Sequence, residues 1–184
     1  MDGKKLMVVF PGMGYTKDKP LLYYAIKIAR NKGYEIVDID YTHFFTAAKF
    51  NDAEVDAKIE KSYEMVVEAL GAVDLKAYDE IVMAGKSMGT MLAARYAEEY
   101  GVEASQLWYT PLESTYEHGC KNAIAVIGTA DPFSDVAKMG KTAKAQGIPL
   151  YVYEGGNHSL ETGDMDTDLK TLGDVMKHTE EFLQ

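Results

Sequence analysis

The chain has one cysteine, Cys120, in 184 residues. No intramolecular disulfide can form, so the fold has to rest on a buried apolar core. Long hydrophobic runs are missing as well. After Met1-Asp2-Gly3-Lys4-Lys5 only five apolar residues precede Pro11, too few for a signal-peptide core or a membrane span. The expectation is a soluble, cytoplasmic protein with no membrane partner. Basic residues are scarce: 19 Lys and Arg stand against 29 Asp and Glu, a net charge of −10. Binding a phosphate backbone needs clustered cations, so nucleic acid is excluded as a partner. His, Cys and carboxylates do not recur at ligand spacing, and neither a metal nor a cofactor is expected. No repeat, linker, charge block or low-complexity tract divides the chain, which reads as a single domain over residues 1–184.

What is present is an alternation of short apolar runs and helical patterns. Strands are expected at Leu6 to Phe10, Tyr34 to Ile39, Tyr78 to Ala84, Gln106 to Tyr109, Ala123 to Ile127 and Pro149 to Tyr153. Continuous apolar runs of this kind suit strands buried on both faces of a parallel sheet. Between them helices are expected at Pro20 to Lys32, Asp52 to Leu70, Ser87 to Tyr100 and Ser134 to Gln146, the last capped by Ser134; a final helix spans Asp166 to Leu183. Asp40 to Asn51 reads as an aromatic-rich loop. Strict alternation predicts an α/β protein, a three-layer sandwich of a six-stranded, mainly parallel sheet between helices.

Around Ser87 the pattern carries chemistry. Ile81 to Ala84 ends in Gly85-Lys86-Ser87-Met88-Gly89, and a helical pattern begins at once. A serine at the apex of a sharp strand-to-helix turn, with glycine two positions to either side, is the nucleophile elbow. Other post-strand loops hold complementary groups: Pro11-Gly12-Met13-Gly14 after the first strand, Asp131 after the fifth, His158 after the sixth. Functional groups collect at the C-terminal ends of such strands. Nucleophile, base, orienting acid and a glycine loop with backbone donors are the parts of an acyl-transfer site. Glu113, past the fourth strand, competes with Asp131 for the acid; His43, His118 and His178 compete with His158 for the base. Gly12-Met13-Gly14 lacks the third glycine of a dinucleotide loop.

With its Ser, Asp, His order and its elbow, the chain resembles the α/β-hydrolase fold superfamily over essentially its whole length. It looks most similar to small, lidless serine hydrolases of the dienelactone-hydrolase and carboxylesterase type. The resemblance implies a minimal sheet, without the two first antiparallel strands, in the order 2-1-3-4-5-6. It implies Ser87 as nucleophile, His158 as base and Asp131 as acid, with an oxyanion hole from the backbone N–H groups of Met88 and Met13, or Gly14 in place of Met13. Serine where dienelactone hydrolases carry cysteine favours an esterase-like activity. Gly12, Gly14, Tyr15, Tyr109 and Phe133 are candidates for a pocket, with Tyr41, Phe44 and Tyr116 also near loop mouths. Lys86 reads as a variable position of the elbow, the alternative being an electrostatic effect on the site from beside the nucleophile. Only about a dozen residues separate the fourth and fifth strands, which leaves no room for a lid. The expected activity is hydrolysis of a small or short-chain carboxylic ester, a small-molecule acyl substrate, without metal or cofactor. The same residues are compatible with a thioesterase or peptidase, and the fold with a non-catalytic binding module.

Overall fold

A computed structural model describes residues 3–45 and 52–183. Its elements run β1 (Lys5–Phe10), α1 (Pro20–Asn31), β2 (Tyr34–Asp38), α2 (Asp52–Gly71), β3 (Glu80–Lys86), α3 (Met88–Glu99), β4 (Ser105–Tyr109), β5 (Ala123–Gly128), α4 (Val136–Gln146), β6 (Leu150–Tyr153) and α5 (Met165–Phe182). Short 3-10 turns occur at Thr42–Phe45, Leu75–Ala77 and Glu113–Glu117. The first of these falls in the stretch expected to be loop; the rest of that stretch, residues 46–51, lies outside the described residues.

All six strands pair in parallel, in the order β2-β1-β3-β4-β5-β6. The six-stranded sheet and its expected order are thus both present, with every pairing parallel. Alternation along each strand assigns residues to the two faces. Met7 and Val9 of β1, Val82 and Ala84 of β3, and Leu107 and Tyr109 of β4 pack with α1 and α5. Leu6, Val8, Phe10, Ile81 and Met83 face α2 and α3. Trp108, Ala125 and Ile127 close the same side against α4 and Tyr116. The strand interiors are apolar on both faces, which is why they read as continuous runs.

Two expectations at element ends are corrected. The cap of α4 is Asp135, whose carboxylate accepts from Lys138 N, because Ser134 turns its hydroxyl to Pro111 O at 3.1 Å. Asp164 caps α5 by accepting from Thr167 N, so that helix starts at Met165. A side-chain acceptor satisfies one of the four free N–H groups at a helix start. No helix among the described residues is long and apolar enough to cross a membrane.

Candidate active site

β3 ends at Lys86 and α3 begins at Met88, leaving Ser87 alone to reverse the chain. It does so at φ 55°, ψ −124°, a backbone region costly for any residue with a Cβ. Ser87 N donates to Tyr109 O at 3.0 Å, and Thr90 N and Oγ1 return to Ser87 O at 2.9 and 2.6 Å. Thr90 Oγ1 also meets Thr115 Oγ1 at 2.6 Å. The glycines of the elbow are required by contact. A Cβ on Gly85 would lie 2.6 Å from Thr90 N, and one on Gly89 would lie 2.5 Å from Pro11 O and collide with Phe10 O. The start of α3 is thereby pressed against the end of β1.

The loops after β5 and β6 are clamped together in the same way. A Cβ on Gly128 would lie 2.9 Å from Gly156 Cα, and Ala130 N donates to Gly156 O at 3.0 Å. These contacts fix Asp131 and His158 relative to each other. His158 Nδ1 is 2.7 Å from Asp131 Oδ2, and its Nε2 is 2.8 Å from Ser87 Oγ. A carboxylate can only accept, so Nδ1 carries the proton, and Nε2 accepts from the serine hydroxyl. Asp131 is held in turn by Phe133 N, 3.0 Å from Oδ1, with its side chain fully buried. His158 O accepts from Thr110 Oγ1 at 3.1 Å; Thr110 follows β4 at φ 45°. The Phe133 ring stands edge-on to His158, centroids 4.8 Å apart, and is itself 65% exposed.

The competing groups are engaged elsewhere. Glu113 forms a surface ion pair with Lys138. His118 Nδ1 sits 2.8 Å from Glu98 Oε2. His178 stacks on Tyr151, and His43 lies against Phe44.

The loop after β1 is a tight turn: Gly12 N and O exchange hydrogen bonds with Tyr15 O and N at 3.0 and 3.1 Å, leaving Met13 and Gly14 at the tip. Among the described residues neither the Met13 N–H nor the Met88 N–H has a hydrogen-bond acceptor. Met88 opens α3, where the first N–H groups are free and the dipole is positive. Tyr41, buried in the core, donates its hydroxyl to Pro11 O at 2.8 Å and pins this turn.

The pocket candidates divide. Tyr15 is buried, but it lines a cavity of about 420 Å³ whose other walls include Leu21, Leu160, Met165 and Leu172. Leu160 belongs to the segment that continues directly from His158. Gly12 is covered, a Cβ there falling 3.2 Å from Lys86 Cγ, while Gly14 is exposed at φ 67°. Tyr109 is corrected: its ring packs in the core facing α1 and α5, and its hydroxyl bonds Thr179 Oγ1 at 2.7 Å. Tyr116 likewise packs edge-on against Trp108. A larger cavity of about 730 Å³, lined by Glu80, Ser105, Gln106 and Asn122, opens at the opposite, N-terminal ends of the strands.

Sequence reasoning missed three supports. Thr90 and Thr110 carry no motif: Thr90 reaches Ser87 from the first turn of α3, and only the fold brings Thr110 to His158. The burial of Lys86 is the larger one. The residue is 1% exposed, with its Nζ 4.9 Å from the centre of the Tyr15 ring. Burial pushes its pKa down to about 7, with the Asp131 carboxylate pulling the other way and Lys19 adding to the fall. The signal that could have found it is β-strand alternation, which sets Lys86 on the face of Val82 and Ala84.

The alpha/beta hydrolase domain family matches residues 3–184, so the chain belongs to the α/β-hydrolase family. No curated protein matches it. Among solved structures it is similar to the Pyrococcus furiosus esterase Pf2001, with 14% identity, TM-score 0.70, and coverage of 99% of this chain and 83% of that one. It is also similar to an alpha-beta serine hydrolase homologue from Coxiella burnetii, with 15% identity, TM-score 0.69, and coverage of 98% and 85%. A serine hydrolase without lid from Xanthomonas campestris shows 16% identity, TM-score 0.62, and coverage of 97% and 80%. At these identities the likeness is one of fold.

Proposed function

We propose that the chain is a serine hydrolase that cleaves a small or short-chain carboxylic ester through an acyl-enzyme intermediate. The observation that carries this is the unbroken relay from Ser87 Oγ through His158 to the buried Asp131 carboxylate, set at a strained elbow. His158 Nε2 takes the hydroxyl proton as Ser87 Oγ attacks the ester carbonyl. Asp131 holds the ring in the tautomer that can accept and stabilises the imidazolium that forms. The Met88 and Met13 N–H groups, without other acceptors, receive the developing oxyanion; losing one such donor raises a barrier by about 3 kcal/mol. His158 then protonates the departing alkoxide. Water, deprotonated by His158, attacks the acyl-enzyme, and collapse of that second tetrahedral intermediate returns the proton to Ser87.

The short-chain preference rests on the absence of a lid between β4 and β5, where the connection holds one 3-10 turn, Glu113–Glu117. Water exclusion over a long acyl chain would need such a cover. The test is turnover of p-nitrophenyl acetate and butyrate. Wild type should release nitrophenolate with saturation kinetics, and Ser87→Ala should lose kcat by several orders of magnitude; equal rates for the two proteins would refute the proposal.

A further inference from the structure

Lys86 has no place in the relay, yet burying an ammonium costs several kcal/mol unless it is paired. Its stem runs beneath Gly12 and its Nζ rests over the Tyr15 ring. Among the described residues it makes no hydrogen bond and no ion pair. The acid that acts on it, Asp131, is already held by His158. A second cation, the exposed Lys19, sets its Nζ 5.4 Å from the same ring and also lacks an ion pair among the described residues. The neighbouring Asp18 is paired with Lys17 instead.

A third positive feature meets the other two at Tyr15. Lys19, at the N-cap of the twelve-residue α1, makes no cap with its own side chain and the first turn carries no acid; the Tyr15 hydroxyl accepts from Leu21 N at 3.1 Å. Glu161 acts on Tyr15 from the loop after His158 and is not among the groups acting on Lys86. In a chain with ten more acids than bases (29 against 19), two lysines without ion pairs over one aromatic ring, beside a helix start that carries no acid, make a place for an anion from outside the protein. Ser87 is the next residue in the chain after Lys86.

We propose that Lys86, Lys19 and the N-terminus of α1, gathered around Tyr15, form a subsite for a carboxylate carried by the substrate. The ester cleaved at Ser87 is then one with an anionic substituent, a half-ester of a small dicarboxylic acid being the simplest form. This specificity rests on the hydrolase reading above, but the subsite itself does not need turnover to be tested. The bound carboxylate supplies the counter-charge that Lys86 lacks.

Binding of glutarate, with pentanamide as the neutral control, is measured by calorimetry at low salt on wild type, Lys86→Met and Lys19→Glu. Methionine retains the buried stem, and Lys19 is exposed, so that the second variant does not disturb the core. Wild type should bind glutarate saturably and pentanamide not at all, and each variant should weaken glutarate by about tenfold or more. Where the hydrolase reading holds, the ratio of kcat/KM for monoethyl succinate over ethyl pentanoate should drop by a similar factor in both variants. A structural role for Lys86 would lower both rates and leave the ratio unmoved. Absence of glutarate binding to wild type, or equal binding in all three proteins, overturns the subsite. Failure of Ser87 to react with a fluorophosphonate would overturn the hydrolase reading while leaving the binding result to stand by itself.

Discussion

Asp131 and Glu113 both follow strands, but only one carboxylate stands behind the imidazole. The 2.7 Å contact from His158 Nδ1 belongs to Asp131, whereas Glu113 is tied to Lys138 at the surface. Asp131→Asn should therefore lower kcat by about 10³–10⁴-fold, since an amide can stabilise the wrong tautomer. Glu113→Gln should leave kcat within about threefold, as expected for a surface pair. Steady-state kinetics on the two variants separates them. Lys86 makes a different prediction, in stability. Its pKa is about 7 folded against 10.5 as the ordinary value. The unfolded chain thus binds the extra proton between those limits, and stability rises with pH across that window. The penalty is fully present below pH 7 and gone above pH 10.5. Lys86→Met should be more stable than wild type at pH 6, by up to about 5 kcal/mol, with the gain fading toward pH 10. Urea denaturation at the two pH values tests the sign; a variant less stable at pH 6 would contradict it.

At the scale of elements, the caps and close approaches were the least legible features. Ser134 and Asp135 are adjacent and both are good cap residues. Which one serves depends on where Pro111 O lies, and that is a tertiary fact. Asp135→Ala should destabilise by about 1 kcal/mol, whereas Ser134→Ala removes only one bond to a loop carbonyl and leaves the cap in place. The strands were legible because both faces are buried: residues 6–10 of β1, 81–85 of β3 and 123–128 of β5 form uninterrupted apolar runs. The elbow glycines were legible as a motif, and the structure supplies their cause. Gly89→Ala places a Cβ against Phe10 O and Pro11 O, so α3 cannot keep its place against the end of β1. A loss of at least 2 kcal/mol in unfolding free energy is expected, on the order of overpacking a rigid core. A thermal shift below one degree would argue against that contact.

Across the whole molecule, the parallel sheet and its order followed from alternation and from the family resemblance, and the comparison with α/β hydrolases agrees with both. The site was legible as far as it is built from residues at strand ends: Ser87, Asp131 and His158 come together because β3, β5 and β6 all end on one edge of the sheet. What surrounds them was not. Tyr109 looked like a pocket residue from its place at the end of β4, but strand pleating turns its ring into the core beneath α1 and α5. Lys86 looked like a spacer because the elbow motif leaves its position open, although alternation along β3 sets it on the face of Val82 and Ala84. The open edge predicts a substrate profile as well: kcat/KM for p-nitrophenyl esters should fall by roughly tenfold or more from butyrate to palmitate.

The central claim is that Ser87 is an activated nucleophile. Its most direct test is reaction of the folded protein with a fluorophosphonate probe, with the adduct located by peptide mass spectrometry. The account predicts a single adduct on Ser87 in wild type, none in Ser87→Ala, and labelling slowed by orders of magnitude in His158→Ala. A folded wild-type protein that takes no label, or takes it at another residue, would contradict the account.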